Sequence, residues 1–500
     1  MSFIGWMYDL AREQSPSEER LDEIFTRSRE VGYHAVALYL EHRFAYPSAP
    51  WAAGPACLTP EVARRLIARH KARGLRIIPF LNTLGHMEGF IRAEGGQWLR
   101  ESDTTWGSEQ TCATRPECRE FAWGLVSDAL SVFDDEWVHL GGDEARQLGE
   151  CPACAARLAE IGKAGLFGQY YGEMCRRVLA AGRRPGLWSD MVLLFPEALD
   201  HLPRETLLFD WQYDHRPRDT TRRLRAAGFD VICCPAVHTY DSVWCHLDLT
   251  RTNIDEHAED AAAEGALGVL VTTWENHHFT SYAASIPLVY AAGRRLSRRE
   301  DWIRALLATA GPAYTYAAEI LGNGIPSVSD FLRPGRWRRL RDALVLRLNP
   351  FRLWVVWRDE ATGRVGDRIL ALCGEVDAAL PSGHPLRFPS ELHRVGVLWV
   401  RAVEDAYRAY VDRDLEACSE QLAVAARILA RLRPGLQAAA EWGGSHVDLE
   451  RLNAGLAFVE TVRTRVRTLP PGAYRPAFQT LVNDRYLRTD QAGWMTTLQR

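Results

Sequence analysis

Short apolar runs alternate with amphipathic stretches from the first residues to about position 295, the rhythm of repeated strand–helix units. Eight runs read as strands: Phe3–Asp9, His34–Glu41, Leu75–Asn82, Trp137–Gly142, Gly186–Met191, Thr206–Tyr213, Phe229–Pro235 and Leu267–Trp274. The stretches between them carry helix punctuation. Ser17-Glu18-Glu19 opens the first and Gly32 closes it, Thr59-Pro60-Glu61 opens the second and Gly74 closes it, and Gly182, Gly228 and Gly265 end later ones. Eight such units close a parallel barrel, so the spacing predicts an α/β fold, a (β/α)8 TIM barrel over residues 1–295. Beyond residue 296 strand signals vanish. Ala-, Leu- and Arg-rich stretches at helical spacing, such as Leu392–Tyr407 and Leu415–Leu432, predict an α-helical C-terminal domain over 296–500. No chemistry is legible there, and packing on the barrel or a homodimer contact is the expected role.

Composition narrows the class without deciding it. With 47% hydrophobic and 25% charged residues and a net charge of -4 over 500 residues, the chain reads as an ordinary globular protein of two or three domains. No nucleic-acid partner is expected, since the basic run Arg336–Arg341 alternates with apolar residues like a solvated helix face. No apolar run reaches membrane-spanning length, so no membrane partner is expected either. The start, Met1-Ser2-Phe3-Ile4-Gly5-Trp6, runs into a strand without the pattern of a signal peptide, and the eleven cysteines are an odd number. Together they predict a cytoplasmic protein with reduced thiols.

In a parallel barrel the chemistry sits at the carboxyl ends of the strands. The fourth run, Val138-His139-Leu140-Gly141-Gly142-Asp143-Glu144, ends in two glycines and two adjacent acids. Neighbouring carboxyls in one pocket cannot both ionise easily, so one tends to stay an acid while the other stays charged. The other strand ends supply Asp9 and Arg12, Glu41 and Arg43, Asn82 with His86, Trp188 and Asp190, Trp211 and Tyr213, Tyr240-Asp241, and Trp274-Glu275. Aromatic faces cover the C–H surface of sugars and carboxylates bond their hydroxyls, so this set points to a small carbohydrate or glycoconjugate substrate. Gly-rich phosphate loops are absent from it.

The segment His139-Leu140-Gly141-Gly142-Asp143-Glu144 resembles the signature of glycoside hydrolase family 20, the β-N-acetylhexosaminidases. Met7-Tyr8-Asp9-Leu10-Ala11-Arg12, Ile78-Pro79-Phe80 through Gly85-His86, Leu187-Trp188-Ser189-Asp190-Met191, Tyr240-Asp241 and Trp274-Glu275 follow that family's order of motifs. Leu84-Gly85-His86-Met87-Glu88 and Leu148-Gly149-Glu150 are similar to its intracellular hexosaminidase D branch. The resemblance implies an exo-acting retaining hydrolase that removes terminal GalNAc or GlcNAc. It implies Glu144 as general acid and base, Asp143 orienting the substrate's own acetamido nucleophile, and Tyr240 bonding the acetamido carbonyl. It further implies Trp188, Trp211 and Trp274 as pocket walls, Asp241 and Glu275 as readers of hydroxyls, and His86 and His139 as near-site partners, with Tyr213 a substrate-binding candidate from its strand end. The family's first-strand arginine corresponds here to Ile4, which makes Glu41 and Arg43 the candidates for a replacement grip on the sugar.

Two other readings stay open on the residues. His86, His139, Asp143, Glu144 and His277-His278 suit a metal-dependent hydrolase, and the lost arginine suits a sugar-binding barrel without catalysis. Cys151-Pro152-Ala153-Cys154 can be half of a zinc site with Cys112 and Cys118 as partners, but one CxxC reads rather as free thiols. No cofactor and no metal are assigned.

Overall fold

A computed structural model describes residues 2–11, 14–102, 109–239, 242–274, 279, 281–325, 349–445, 447–470, 472 and 474–482. Its strands are β1 (Phe3–Asp9), β2 (Ala35–Tyr39), β3 (Arg76–Phe80), β4 (Trp137–His139), β5 (Arg184–Trp188), β6 (Leu207–Trp211), β7 (Asp230–Cys234), β8 (Ala236–Val237) and β9 (Gly268–Thr273). β1 to β7 pair in sequence order, β7 pairs with β9, and β9 returns to β1, all in parallel. The result is a closed eight-stranded parallel barrel surrounded by helices. The two-residue β8 lies against β9 and continues β7 past Pro235, whose missing N–H interrupts the ladder.

Side chains alternate between the barrel interior and the helical layer. Phe3 and Met7 of β1, Ala35 and Ala37 of β2, Phe80, Trp188, Phe209 and Leu270 form the interior cluster, while Trp6, Val36, Leu38, Leu208 and Val269 pack outward against helices. Small residues make room for large ones. A Cβ on Gly186 would lie 2.7 Å from the Phe209 ring and 3.1 Å from His139. Burying an aromatic such as Trp188 contributes about 4–6 kcal/mol as an upper figure. The register sets Asp9, Tyr39, Phe80 and His139 side by side at the carboxyl end, so the last interior layer is the floor of the mouth.

The helix starts form as expected. Ser17 accepts from the Arg20 N–H and Thr59 from the Val62 N–H, with Pro60 in the first turn. From Tyr282 onward the regular elements among the described residues are helices, including the long helices Arg387–Val411 and Val447–Arg467. This region meets loops that follow two barrel strands. Ser15 donates to the Gly443 carbonyl at 2.6 Å, and Phe279 donates to Asp448 Oδ2 at 2.8 Å. Asp448 in turn is bonded by Arg451 at 2.7 Å, both side chains buried. No helix among the described residues is long and apolar enough to cross a membrane.

Candidate active site

β4 ends at His139, three residues earlier than its apolar run. Gly141 and Gly142 adopt φ of +80° and +101°, which turns the chain out of the ladder and over the barrel mouth. A Cβ on Gly141 would sit 2.6 Å from Asn82 Oδ1 and 3.0 Å from the Leu81 carbonyl, so the turn requires glycine. The loop is held from several sides. Gly141 N–H donates to His139 Nδ1 at 3.1 Å, Thr83 Oγ1 to the Leu140 carbonyl at 2.9 Å, and Glu144 N–H to Asp190 Oδ2 at 2.9 Å. Glu144 itself is left-handed at φ +47°, a conformation that costs about 1–2 kcal/mol in a non-glycine residue.

These constraints bring Asp143 and Glu144 to one imidazole. His86 Nε2 lies 3.5 Å from Asp143 Oδ2 and 3.3 Å from Glu144 Oε2, and its Nδ1 is 3.8 Å from Glu88. Burial works against a charge on the ring, but Asp143, Glu144 and Glu88 outweigh it and hold His86 well above the ordinary histidine range. Glu144 moves the other way. The His86 hydrogen bond lowers its pKa, burial opposes, and the charges of His86 and of Arg146, which pairs with the carboxylate, lower it further. Beneath the loop, burial and the charge of Asp143 push Asp190 up to about 7, against the lowering effect of the Glu144 N–H. The loop thus sets a lowered carboxyl, Glu144, against a raised one beneath it, Asp190.

Aromatic residues line one side of the mouth. Trp274 meets Tyr39 edge-on at 5.1 Å and Trp188 at 5.9 Å, and its Nε1 donates to the Tyr213 hydroxyl at 2.6 Å. Trp211 lies 5.1 Å from Tyr213. Trp211, Tyr213 and Trp274 keep partial exposure, whereas Trp188 is fully buried among Phe80, His139 and Phe209 and belongs to the floor. His139 is stacked on Phe80 at 4.2 Å in the interior, and burial holds its pKa well below the usual value. A neutral ring with Nδ1 accepting from Gly141 positions the acid loop. Tyr240, Asp241 and Glu275, like Arg12, His277-His278 and the 336–341 run, lie outside the described residues.

The candidates for the sugar grip lie away from the aromatic wall. The buried Arg43 guanidinium donates to Ser15 Oγ at 2.6 Å and to the Pro55 carbonyl at 3.0 Å, with longer bonds to Gln14 and Ala56, and so ties two loops together. Ile4 packs outward into the helical layer, near the bottom of β1. Glu41 is buried at φ +38° with Oε2 3.0 Å from His42 Nδ1. Asp190, Asn82 and Arg146 are site residues that the sequence reading gave no role. Asn82 donates to the Tyr39 hydroxyl and to the His86 carbonyl, and its place at a strand end was the available signal. Nothing marks Arg146 in the sequence. Among the described residues, the set whose ligand atoms converge as a metal site would require is Glu101, Cys112, Cys151 and Cys154, not the histidines and acids of the mouth.

Residues 35–282 match the model of glycosyl hydrolase family 20, catalytic domain. A β-hexosaminidase of Vibrio furnissii is 24% identical over 195 residues, and one of Emericella nidulans 22% over 199. These alignments cover 36% and 35% of this chain but only 30% and 32% of the relatives, so the chain spans about a third of the length of the curated proteins it matches. Among solved structures, the family 20 exo-β-N-acetylglucosaminidase of Vibrio harveyi with N-acetylglucosamine superposes with a TM-score of 0.48 at 18% identity, over 64% of this chain and 58% of that one. The β-N-acetylhexosaminidase of Streptomyces coelicolor gives 0.46 at 14% identity, over 63% and 68%. With the family model matching across β2 to β9 and the acid pair carried by the loop after β4, the chain carries the catalytic domain of glycosyl hydrolase family 20.

Proposed function

We propose that the protein is an exo-acting, retaining β-N-acetylhexosaminidase that removes a terminal GalNAc or GlcNAc with the substrate's acetamido group as nucleophile. The observation that carries this reading is the Asp143-Glu144 pair at the mouth of a family 20 barrel, joined through His86. The β-hexosaminidase names of the Vibrio and Emericella relatives agree with it.

In this mechanism Glu144 gives its proton to the glycosidic oxygen as the bond from C1 to that oxygen breaks, and the acetamido oxygen attacks C1 to form an oxazolinium ring. Asp143 accepts the acetamido N–H and offsets the positive charge that develops there. Glu144 then takes a proton from water, whose oxygen attacks C1, reopening the ring with the β configuration retained. Tyr240 would bond the acetamido oxygen, Trp211 and Trp274 flank the sugar over the Trp188 floor, and Asp241 and Glu275 read its hydroxyls. In the free protein Glu144 is held low by His86 and Arg146. Sugar binding must raise it by excluding water and displacing Arg146, whose side chain is 75% exposed. The hexosaminidase D features and the free cysteines support a cytoplasmic setting.

Glu144→Gln tests the acid role. Activity should fall by about 10²–10⁴ on aglycones that need a proton to leave, and far less on activated aryl leaving groups in the first step. An equal loss on both would remove Glu144 from the role.

A further inference from the structure

We propose that Glu101, Cys112, Cys151 and Cys154 form a closed tetrahedral site for one Zn²⁺ ion that staples the acid loop to the segment carrying His86. The four residues come from three stretches of chain. Glu101 and Cys112 flank the antiparallel bridge between Arg100 and Thr111, where Glu101 N–H donates to the Gln110 carbonyl and Cys112 N–H to that of Leu99. Cys151 is the N-cap of the long helix Pro152–Ala180, and Cys154 is in its first turn.

The spacing is that of a coordination sphere. Cys112 Sγ is 3.5 Å from both Cys151 Sγ and Cys154 Sγ, Cys154 Sγ is 3.3 Å from Glu101 Oε2, and the four ligand atoms all lie within 4.8 Å of one another. With Zn–S near 2.3 Å, the edge between two thiolates of a tetrahedron is about 3.8 Å, which small side-chain rotations reach from here. A disulfide would not use this arrangement. Cys112 stands equally far from two sulfurs, and any pair would leave the third thiol against the buried Glu101 carboxyl.

Second, backbone donors and a helix N-terminus already face the sulfurs. Cys154 N–H donates to Cys151 Sγ at 3.3 Å and Arg115 N–H to Cys112 Sγ at 3.4 Å, while the helix N-terminus points its positive end at Cys151 and Cys154. Three thiolates and a carboxylate fill four positions and leave none open, so the site is structural.

Its reach extends to the catalytic mouth. Six residues separate Glu144 from Cys151, and within them Gln147 N–H donates to Gln110 Oε1 at 3.0 Å. On the other side, Met87 N–H donates to the Glu109 carbonyl and Thr111 N–H to that of Leu84, holding the turn that presents His86.

The full chain, purified under reducing conditions, should hold about one zinc per molecule by elemental analysis. Exchange with Co²⁺ should give the d–d bands of a tetrahedral thiolate site and a thiolate charge-transfer band. Cys112→Ser with Cys154→Ser should remove both, and Cys57→Ser, outside the cluster, should leave both intact. Zinc content at background with no Co²⁺ spectrum in the wild type, or a disulfide among these cysteines by mass spectrometry, would overturn the site. The wild-type readings decide even if the double variant does not fold, and none depends on glycosidase activity.

Discussion

Gly85 lies against the underside of the acid loop, and the contact sets how far that loop stands from His86. A Cβ added there would be 2.7 Å from the Asp143 carbonyl oxygen, with Ala145 N and Cα at 3.6 and 3.7 Å. Relief requires the two segments to part by about 0.5–0.7 Å in a site packed as densely as an organic crystal. Neither segment is free to move, because Thr111 holds Leu84 and Asp190 holds Glu144. Taking a 1 Å misplacement as worth about 10² in rate, Gly85→Ala should lower kcat by about 10- to 30-fold. Overpacking should also cost about 1–3 kcal/mol of stability. The assay is kcat on an aryl β-N-acetylhexosaminide, far below both melting temperatures, beside a thermal melt. Gly374→Ala is the control. It lies in the helix Arg364–Ala379 with nothing within 4 Å of its new Cβ, so it should leave kcat unchanged and stabilise by up to about 1 kcal/mol. A Gly85→Ala variant with wild-type kcat would refute the claim that this contact positions the acids.

The remaining predictions concern protons and Arg43. Because His86 and Arg146 hold Glu144 low, and the acid works only when protonated, His86→Gln and Arg146→Ala should each move the alkaline limb of kcat/KM to higher pH. A limb that stays put or moves down would contradict the pairing. Asp190 is raised to about 7, so folding takes up a proton between the usual aspartate range and neutrality, and stability falls as pH rises through that window. Asp190→Asn should flatten this fall, gaining more in melting temperature at pH 8 than at pH 4, and an equal shift at both would show that Asp190 does not titrate there. Arg43→Lys should lower stability by about 1–3 kcal/mol and leave KM for the sugar within about twofold, whereas a large rise in KM alone would restore Arg43 to the binding site.

The barrel was legible because its strands are apolar runs closed by turn residues, and because side-chain alternation plus helix caps leaves few other ways to bury them. Strand ends were less so. The run through Leu140 looked like strand, but the left-handed glycines end β4 at His139, and only the close approach to Asn82 explains why. The acid pair could be read from its own residues, yet the electrostatics of the pair could not. They depend on His86, more than fifty residues away, and on Asp190, reached across β5. The hydrogen bonds of Arg43 were illegible for a related reason. An arginine at a strand end can point to ligand or to loop carbonyls, and only the fold of the 14–15 and 54–56 segments decides. Likewise Cys118 was as eligible as Cys112 by spacing, but its Sγ turns to the Leu99 carbonyl at 3.7 Å while Glu101 joins the sulfur cluster.

The most direct measurement of the central claim is hydrolysis of aryl β-N-acetylglucosaminide, β-N-acetylgalactosaminide and plain β-glucoside by the wild type and by Asp143→Asn. Substrate-assisted catalysis predicts turnover of one or both acetamido sugars, none of the glucoside, and a loss of about 10²-fold or more in the variant. Cleavage of the glucoside at a comparable rate, or an Asp143→Asn enzyme as active as the wild type, would contradict it.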